Sequence, residues 1–255
     1  MGIATIPAAS RSVSEPVIDL KSLRVKLFAD GADKDRMLAR YRDEHIAGFT
    51  TNPTLMRKAG IADYGTFARD LLTHIKDRPI SFEVFADDFP AMERQARIIS
   101  SWGENVYVKI PVTNTAGEPA LLLVEDLSND GIKLNVTAVF TVEQVEQVVS
   151  VLAPGVPAYV SIFAGRIADT GRDPMPIMSA ACEILSDHPD VELIWASPRE
   201  LLNVVQADQI GCHIITATDD ILKKLGMLGK DLAEFSVETV KMFYEDARAS
   251  GYQIS

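Results

Sequence analysis

One lysine stands inside an apolar run, residues 106–111 (VYVKIP). Uninterrupted Val, Tyr and Ile bounded by polar residues indicate a strand that is buried on both faces. An ammonium group in such a strand is costly unless it is paired or gives up its proton, and a neutral lysine amine is a nucleophile toward carbonyl carbons. Lys109 is therefore a candidate for covalent catalysis. The alternative is an ordinary structural ion pair at the end of the strand.

Polar side chains also end almost every other predicted strand. They are Asp30, Asn52, Glu83, Asn135 with Thr137, Ser161, and Ser197 with Arg199. Taken singly, such residues have plain explanations, since Asp30 and Thr137 could cap helices and Asn52 could form an Asx turn. Glu83 resists this explanation because it is a charged residue within an apolar strand and begins no helix. The set predicts a polar ring around Lys109.

This ring suits the cleavage of a carbon–carbon bond through a Schiff base. Lys109 attacks a ketone and loses water to form an iminium ion, which accepts the electrons of the breaking bond. Asp30 is suited to take the proton from the hydroxyl group that becomes the departing aldehyde. Glu83 and Thr137 could hold a water that carries protons during the dehydration step. The chemistry requires no metal ion and no organic cofactor.

Eight strand–helix units must position this ring. The predicted strands cover residues 25–30, 47–52, 80–84, 105–113, 132–137, 158–163, 191–196 and 213–216. The predicted helices that follow them cover residues 33–44, 64–77, 92–102, 117–130, 142–151, 176–186, 200–206 and 220–225. This alternation predicts an α/β protein with a single (β/α)8 (TIM) barrel, in which chemistry lies at the carboxyl ends of the strands. An open doubly wound sheet is disfavoured because no Gly-x-Gly-x-x-Gly follows the first strand.

The two ends of the chain lie outside this repeat. Residues 1–24 are predicted to be a lead-in, and residues 25–255 to hold the barrel with an extra C-terminal helix at 231–250. That helix has an apolar face at helical spacing, formed by Val237, Val240, Phe243, Tyr244 and Ala247. We expect it to cover the outside of the barrel. A position over the mouth or over a neighbouring subunit is the alternative.

Composition excludes several classes of function. The 255 residues are 47% hydrophobic and 24% charged, as in ordinary soluble domains, and the net charge of −11 argues against nucleic-acid binding. Cys182 and Cys212 have no close partner at metal-ligand spacing, which predicts a reducing compartment and no metal site. No run approaches the ~18 apolar residues of a membrane span. We expect a cytoplasmic protein with no membrane partner.

Six segments resemble the transaldolase family, which includes the fructose-6-phosphate aldolases. They are residues 28–33 (FADGAD), 48–54 (GFTTNPT), 82–84 (FEV), 106–111 (VYVKIP), 134–137 (LNVT) and 161–167 (SIFAGRI). The resemblance implies that Lys109 forms the Schiff base, that Asp30 is the general acid and base, and that Glu83 and Thr137 hold the catalytic water.

The resemblance also implies how a sugar phosphate is held. Asn52 and Asn135 would bind its dihydroxyacetone part, and Ser161, Arg166 and Arg199 its phosphate. Ser197, Phe140 and Phe163 complete the predicted substrate-binding set. Pro198 stands where the family usually has Phe, and because proline fixes φ it could change where Arg199 points. Homo-oligomers are common in the family, and the C-terminal helix is the candidate interface.

Two positions separate the branches of the family. Aldolase members tend to have Gln at the position of Glu83 and Tyr at that of Phe140, whereas this chain has the transaldolase pair. A tyrosine hydroxyl beside the intermediate can help to protonate and release it, while phenylalanine leaves the enamine waiting for an acceptor aldehyde. We expect a transaldolase that takes a dihydroxyacetone unit from fructose 6-phosphate or sedoheptulose 7-phosphate. An acceptor-independent aldolase, an enzyme for an unusual sugar and a non-catalytic sugar-phosphate-binding barrel are the alternatives.

Overall fold

Eight parallel strands close into a barrel in chain order, as predicted. The computed structural model describes residues 19–254, so residues 1–18 of the predicted lead-in lie outside the described part. The strands are β1 (Lys26–Asp30), β2 (Ile46–Thr50), β3 (Ile80–Glu83), β4 (Val106–Pro111), β5 (Leu134–Val139), β6 (Ala158–Ile162), β7 (Val191–Trp195) and β8 (Ile214–Ala217). Closure comes from β1, which pairs with β2 on one side and with β8 on the other.

Helices connect the strands on the outside of the barrel, as expected for parallel strands. They are α1 (Lys34–Tyr41), α2 (Pro53–Lys58), α3 (Tyr64–His74), α4 (Phe89–Ser100), α5 (Leu121–Asn129), α6 (Val142–Val149), α7 (Ala164–Ala168), α8 (Met175–Leu185), α9 (Leu202–Gln209) and α10 (Asp219–Leu222). The eight predicted helices of the barrel are present. The short helices α2 and α7 were not predicted, because five or six residues are too few to show a helical repeat.

Large side chains fill the inside of the barrel below its carboxyl end. This core cluster consists of Phe28, Tyr107, Tyr159, Ile194 and Ile214. Inward-facing residues of a strand are two positions apart. The next inward layer is therefore Asp30, Lys109, Ser161, Ala196 and Thr216. The inward-facing layer that contains the polar residues therefore lies directly above the apolar core cluster.

The chain separates into two compact units, of which Leu23–Leu225 contains every strand. The described part of the other unit comprises residues 19–22 and 226–254. Its helix α11 (Leu232–Ser250) agrees with the helix predicted at 231–250, begins at the N-cap Asp231 and buries none of its side chains. The domain boundaries drawn from the sequence stay a prediction. None of the helices in the described residues is long and apolar enough to cross a membrane.

Candidate active site

A cavity of about 470 Å³ lies at the carboxyl ends of the strands and brings the predicted residues together. All four predicted catalytic residues line it, namely Asp30, Glu83, Lys109 and Thr137. Six predicted substrate-binding residues also line it, namely Asn52, Ser161, Phe163, Arg166, Ser197 and Arg199. A second cavity of about 700 Å³ lies among residues of α1, α2 and α10 and shares Asp30, Leu55 and Lys58 with the first. Convergent polar groups mark the first cavity as the candidate site.

Lys109 is buried beside a carboxylate. Its side chain points into the barrel with only 6% of the residue exposed. The ammonium Nζ lies 3.3 Å from Glu83 Oε2 and donates a hydrogen bond to the Thr51 carbonyl oxygen at 3.0 Å. Lys109 and Glu83 are direct register partners on β4 and β3, which is why their side chains meet. The carboxylate is placed to accept the proton that the amine must lose before it attacks a carbonyl.

Asp30 ends β1 and lines the same cavity as Lys109. Burial raises the pKa of its carboxyl group, while Lys109 and a hydrogen bond from Thr50 oppose the rise and Glu83 adds to it. The Thr50 hydroxyl donates to Asp30 Oδ1 at 2.8 Å. A carboxyl group whose pKa is moved toward neutrality can both take and return a proton during one turnover. This position suits the predicted general acid and base.

Thr137 presents a buried hydroxyl on the same cavity. Its Oγ1 has no hydrogen-bond partner among the described residues, which is uncommon for a buried polar atom. The next residue, Ala138, has φ of +59° and also lines the cavity. Left-handed backbone at a residue other than glycine is a mark of functional sites. No described protein group therefore uses the hydrogen-bonding capacity of this hydroxyl.

The side chain of Asn52 caps a helix and also lines the cavity. Its Oδ1 accepts a hydrogen bond from the Leu55 N–H at 3.0 Å and so caps α2, with Pro53 in the first turn where its missing N–H costs nothing. The side chain also lines the cavity. Because the oxygen is used by the cap, the amide NH₂ is the group that remains for a substrate oxygen.

Asn135 lies behind the cavity wall and not on it. It is fully buried, its Oδ1 accepts from the Ser161 hydroxyl at 2.7 Å, and its Nδ2 donates to the Ser81 hydroxyl at 3.0 Å. Both ends of the amide are therefore occupied by protein groups. In this arrangement Asn135 orients Ser161, whereas the sequence-based expectation was a direct contact with substrate.

Phe140, too, stands behind the wall. Its ring packs against Phe163 with 5.8 Å between the centroids, and only Phe163 lines the cavity. The guanidinium of Arg166 lies 5.3 Å from the centroid of Phe163. The aromatic ring that can face a bound intermediate is therefore that of Phe163. The effect expected of a tyrosine hydroxyl at position 140 is accordingly expected at position 163.

Two arginines line one side of the cavity. Arg199 is held by Asp169, with Nε donating to Oδ1 at 2.9 Å, so a planar guanidinium is preset there despite the neighbouring Pro198. Ser197 has φ of +58°, and a Cβ built on Gly165 would lie 1.5 Å from the Ser197 carbonyl oxygen. Only glycine allows α7 and the residues after β7 to approach so closely. This contact sets the spacing between Arg166 and Arg199.

Several residues of this region were not expected from the sequence, among them Thr50, Lys58, Thr216 and Tyr64. Thr50, Lys58 and Thr216 line the cavity. The hydroxyl of Tyr64 accepts from the Glu83 N–H at 2.8 Å and donates to the Glu83 carbonyl at 3.1 Å, which fixes the backbone that carries the carboxylate. Thr216 is the last residue of the strand predicted at 213–216, so the strand-end rule could have found it. Tyr64 begins α3, and no local signal connects it to Glu83.

Comparisons with known proteins agree with the geometry. A model of the family described as transaldolase/fructose-6-phosphate aldolase matches residues 27–254. A relative from Thermoanaerobacter sp., named "probable transaldolase", is 36% identical over 232 residues, which cover 90% of this chain and 100% of that protein. A second "probable transaldolase", from Dehalococcoides mccartyi, is 33% identical over 202 residues, which cover 79% of this chain and 90% of that protein.

Solved structures share the architecture. A protein from Coccidioides immitis, provisionally named a fructose-1,6-biphosphate aldolase, superposes with a TM-score of 0.52 at 16% identity. The match covers 78% of this chain and 74% of that one. At this identity the likeness supports the barrel fold alone.

Proposed function

This chain belongs to the transaldolase/fructose-6-phosphate aldolase family, and from that premise we propose that it transfers a dihydroxyacetone unit between sugar phosphates. The donor is a ketose phosphate of the fructose 6-phosphate or sedoheptulose 7-phosphate type, and the acceptor is an aldehyde. The intermediate is a Schiff base on Lys109. The observation that carries the proposal is the buried Lys109 amine 3.3 Å from the Glu83 carboxylate, on one cavity with Asp30 and Thr137.

The first stage joins the donor to the enzyme. The Lys109 amine, after passing a proton to Glu83, attacks the C2 carbonyl and forms a carbinolamine. The carbinolamine hydroxyl takes a proton and leaves as water, giving the iminium ion. Glu83 and Thr137 line the same cavity, and in this proposal they hold the water that carries this proton. Tyr64 keeps Glu83 in position through both backbone groups of that residue.

The second stage breaks the C3–C4 bond. Asp30 takes the proton of the C4 hydroxyl, the aldehyde departs, and the bonding electrons move into the iminium to give an enamine. The buried carboxyl group holds this proton. When an acceptor aldehyde enters, the enamine carbon attacks it and Asp30 returns the proton to the new alkoxide. Hydrolysis of the resulting iminium then frees Lys109.

The phosphate is assigned to the side of the cavity with the two arginines. Guanidinium groups make bidentate contacts with phosphate oxygens, and Arg166 and Arg199 both line the cavity with Ser161 and Ser197. Arg166 provides local positive charge within a chain of net charge −11. Arg199 pairs with Asp169 through Nε and Nη2, so only its remaining N–H groups are left for the phosphate oxygens. Phe163, which Arg166 contacts, supplies an apolar wall without a hydroxyl group that could protonate the enamine.

The proposal is tested by glyceraldehyde 3-phosphate release from fructose 6-phosphate, with and without erythrose 4-phosphate. Release that requires the acceptor is the expected result. Release without the acceptor would make the protein an aldolase. Borohydride added with fructose 6-phosphate should fix a three-carbon or six-carbon adduct on Lys109, which mass spectrometry locates, and Lys109→Met should give none. Activity that survives in Lys109→Met would overturn the Schiff-base mechanism.

A further inference from the structure

A line of three side chains crosses the inner face of β1. Thr50 ends β2 and Thr216 lies on β8, and these two strands flank β1 on its two sides. The hydroxyl oxygens of Thr50 and Thr216 are 2.5 Å apart, and the Thr50 hydroxyl is 2.8 Å from Asp30 Oδ1. Both threonines are buried, at 2% and 6% exposure. Such a contact exists only because the barrel is closed.

The protons of this line have one possible order while Asp30 is ionised. A hydroxyl group has a single proton to donate, and a carboxylate can only accept. Thr50 donates its proton to Asp30, so the short contact with Thr216 must use the proton of Thr216. The line therefore runs from Thr216 to Thr50 to Asp30, and a hydrogen bond received by Thr50 strengthens the one that it donates.

We propose that Thr216 is a positioning residue for Asp30, acting through Thr50. The inference rests on the Schiff-base function proposed above, in which Asp30 moves the C4 hydroxyl proton. Because Thr50 occupies Oδ1 throughout, Oδ2 is the oxygen left for the substrate hydroxyl. Without the donor at position 216, the Thr50 hydroxyl is less polarised and free to rotate away from Asp30. Either carboxyl oxygen of Asp30 could then take the proton of the substrate hydroxyl.

The line also bears on the proton affinity of the carboxyl group. The hydrogen bond from Thr50 lowers the pKa of Asp30, opposing the rise caused by burial. Lys109 on β4 and Glu83 on β3 are the charged groups that act on it directly. Asp30 also lines the larger cavity and a smaller opening beside it. The other charged side chains around these openings are Lys58, Arg166, Arg199, Asp220, Asp33, Arg36, Arg40, Asp219, Lys223 and Lys224. None of these is altered when the hydroxyl of Thr216 is removed.

The test compares Thr216→Val, which keeps the shape of the side chain and removes the hydroxyl, with Thr216→Ser, which keeps the hydroxyl. For Thr216→Val we expect acceptor-dependent turnover to fall about tenfold, the effect of weakening one buried hydrogen bond. The acid limb of its pH profile should move to higher pH, with KM for fructose 6-phosphate little changed. Thr216→Ser should restore the wild-type rate and profile.

Two further measurements separate this proposal from the proposed function. Borohydride trapping on Lys109 precedes the step of Asp30, so Thr216→Val should trap at the wild-type rate. Titration of Asp30 by carboxyl ¹³C NMR, assigned with Asp30→Asn, needs no turnover and should show a higher midpoint in Thr216→Val. An unchanged midpoint, or equal losses of trapping and turnover, would overturn the positioning role. Absence of trapping in the wild type would instead refute the Schiff-base function.

Discussion

Single residues at the carboxyl ends of the strands divide the proposed chemistry between them. The side chains of Lys109 and Glu83 lie side by side because the two residues are register partners on neighbouring strands. Asp30 is suited to its proposed proton-transfer role because burial raises the pKa of its carboxyl group. A charge that is useful for catalysis is costly for folding when it is buried. At this scale function and stability are therefore opposed.

Asp30→Asn should make the protein more stable and almost inactive. Between the ordinary pKa of 3.8 and its raised value, the folded state binds more protons than the unfolded state, so the unfolding free energy falls as pH rises through that window. Asparagine keeps an acceptor for Thr50 and has no charge. Its stability advantage should therefore grow from about pH 3.8 toward neutrality, while turnover falls about 10²- to 10⁴-fold.

Denaturant unfolding of wild type and Asp30→Asn at several pH values measures this advantage. Asp169→Asn is a suitable control because Arg199 lowers the pKa of the Asp169 carboxyl group, so the opposite pH trend is expected there. A stability difference for Asp30→Asn that shrinks as pH rises would contradict the assignment of burial as the dominant cause.

Phe163→Tyr should convert part of the transfer reaction into release. A hydroxyl group on this ring would face the enamine and provide a proton for its discharge, so the ratio of acceptor-independent to acceptor-dependent turnover should rise about tenfold or more. Phe140→Tyr is the matched control, because Phe140 contacts Phe163 but does not line the cavity. The interpretation fails if position 140 gives the larger change.

At the scale of elements, the site depends on a close approach between α7 and the residues that follow β7. Gly165 on α7 lies against the carbonyl oxygen of Ser197, whose own φ is +58°. Arg166 directly follows Gly165 in the chain, and Arg199 is two residues after Ser197. The short helix therefore sets the spacing between the two proposed phosphate-binding arginines, and it also buries Ala164 and Ile167 in the core.

Gly165→Ala should weaken phosphate binding selectively. The added Cβ would lie 1.5 Å from a backbone oxygen, so the two segments must separate, at a cost of about 1–3 kcal/mol in stability. Half-saturation of borohydride trapping by fructose 6-phosphate should rise about tenfold, and that by unphosphorylated dihydroxyacetone should not. Gly226→Ala is the control, since its Cβ meets no atom within 4 Å. Equal effects on both ligands would show general damage.

For the whole molecule, closure of the barrel within Leu23–Leu225 gives this unit every strand and the core cluster. Helix α11, in the other unit, buries none of its side chains. A stable core needs buried apolar area, and the barrel unit has its own.

A chain that stops after Leu225 should therefore still fold. We expect cooperative thermal unfolding with Tm within about 5 °C of the full chain, a change of only one or two kcal/mol at this size, and continued borohydride trapping on Lys109. Sedimentation of both chains would report whether the predicted homo-oligomer depends on α11. Loss of cooperative unfolding in the shorter chain would show that the barrel unit is not autonomous.

The sequence by itself determined the barrel and most of the polar ring. Strand–helix alternation and the position of a residue at a strand end are local properties, so Asp30, Glu83, Lys109 and Thr137 could be found without coordinates. Short helices such as α2 left little trace, because a cap and a proline can start a helix that has no repeat.

Only the tertiary structure decided which side chains meet. Thr50 and Thr216 are 166 residues apart in sequence and come into contact because β1 closes the barrel between their strands. Asn135 forms hydrogen bonds with Ser161 and Ser81, and Phe140 packs behind Phe163. Strand register and packing thus decide how far each side chain lies from the cavity surface. Strand ends are encoded locally, whereas the depth of a side chain and its partners depend on strands that are distant in the chain.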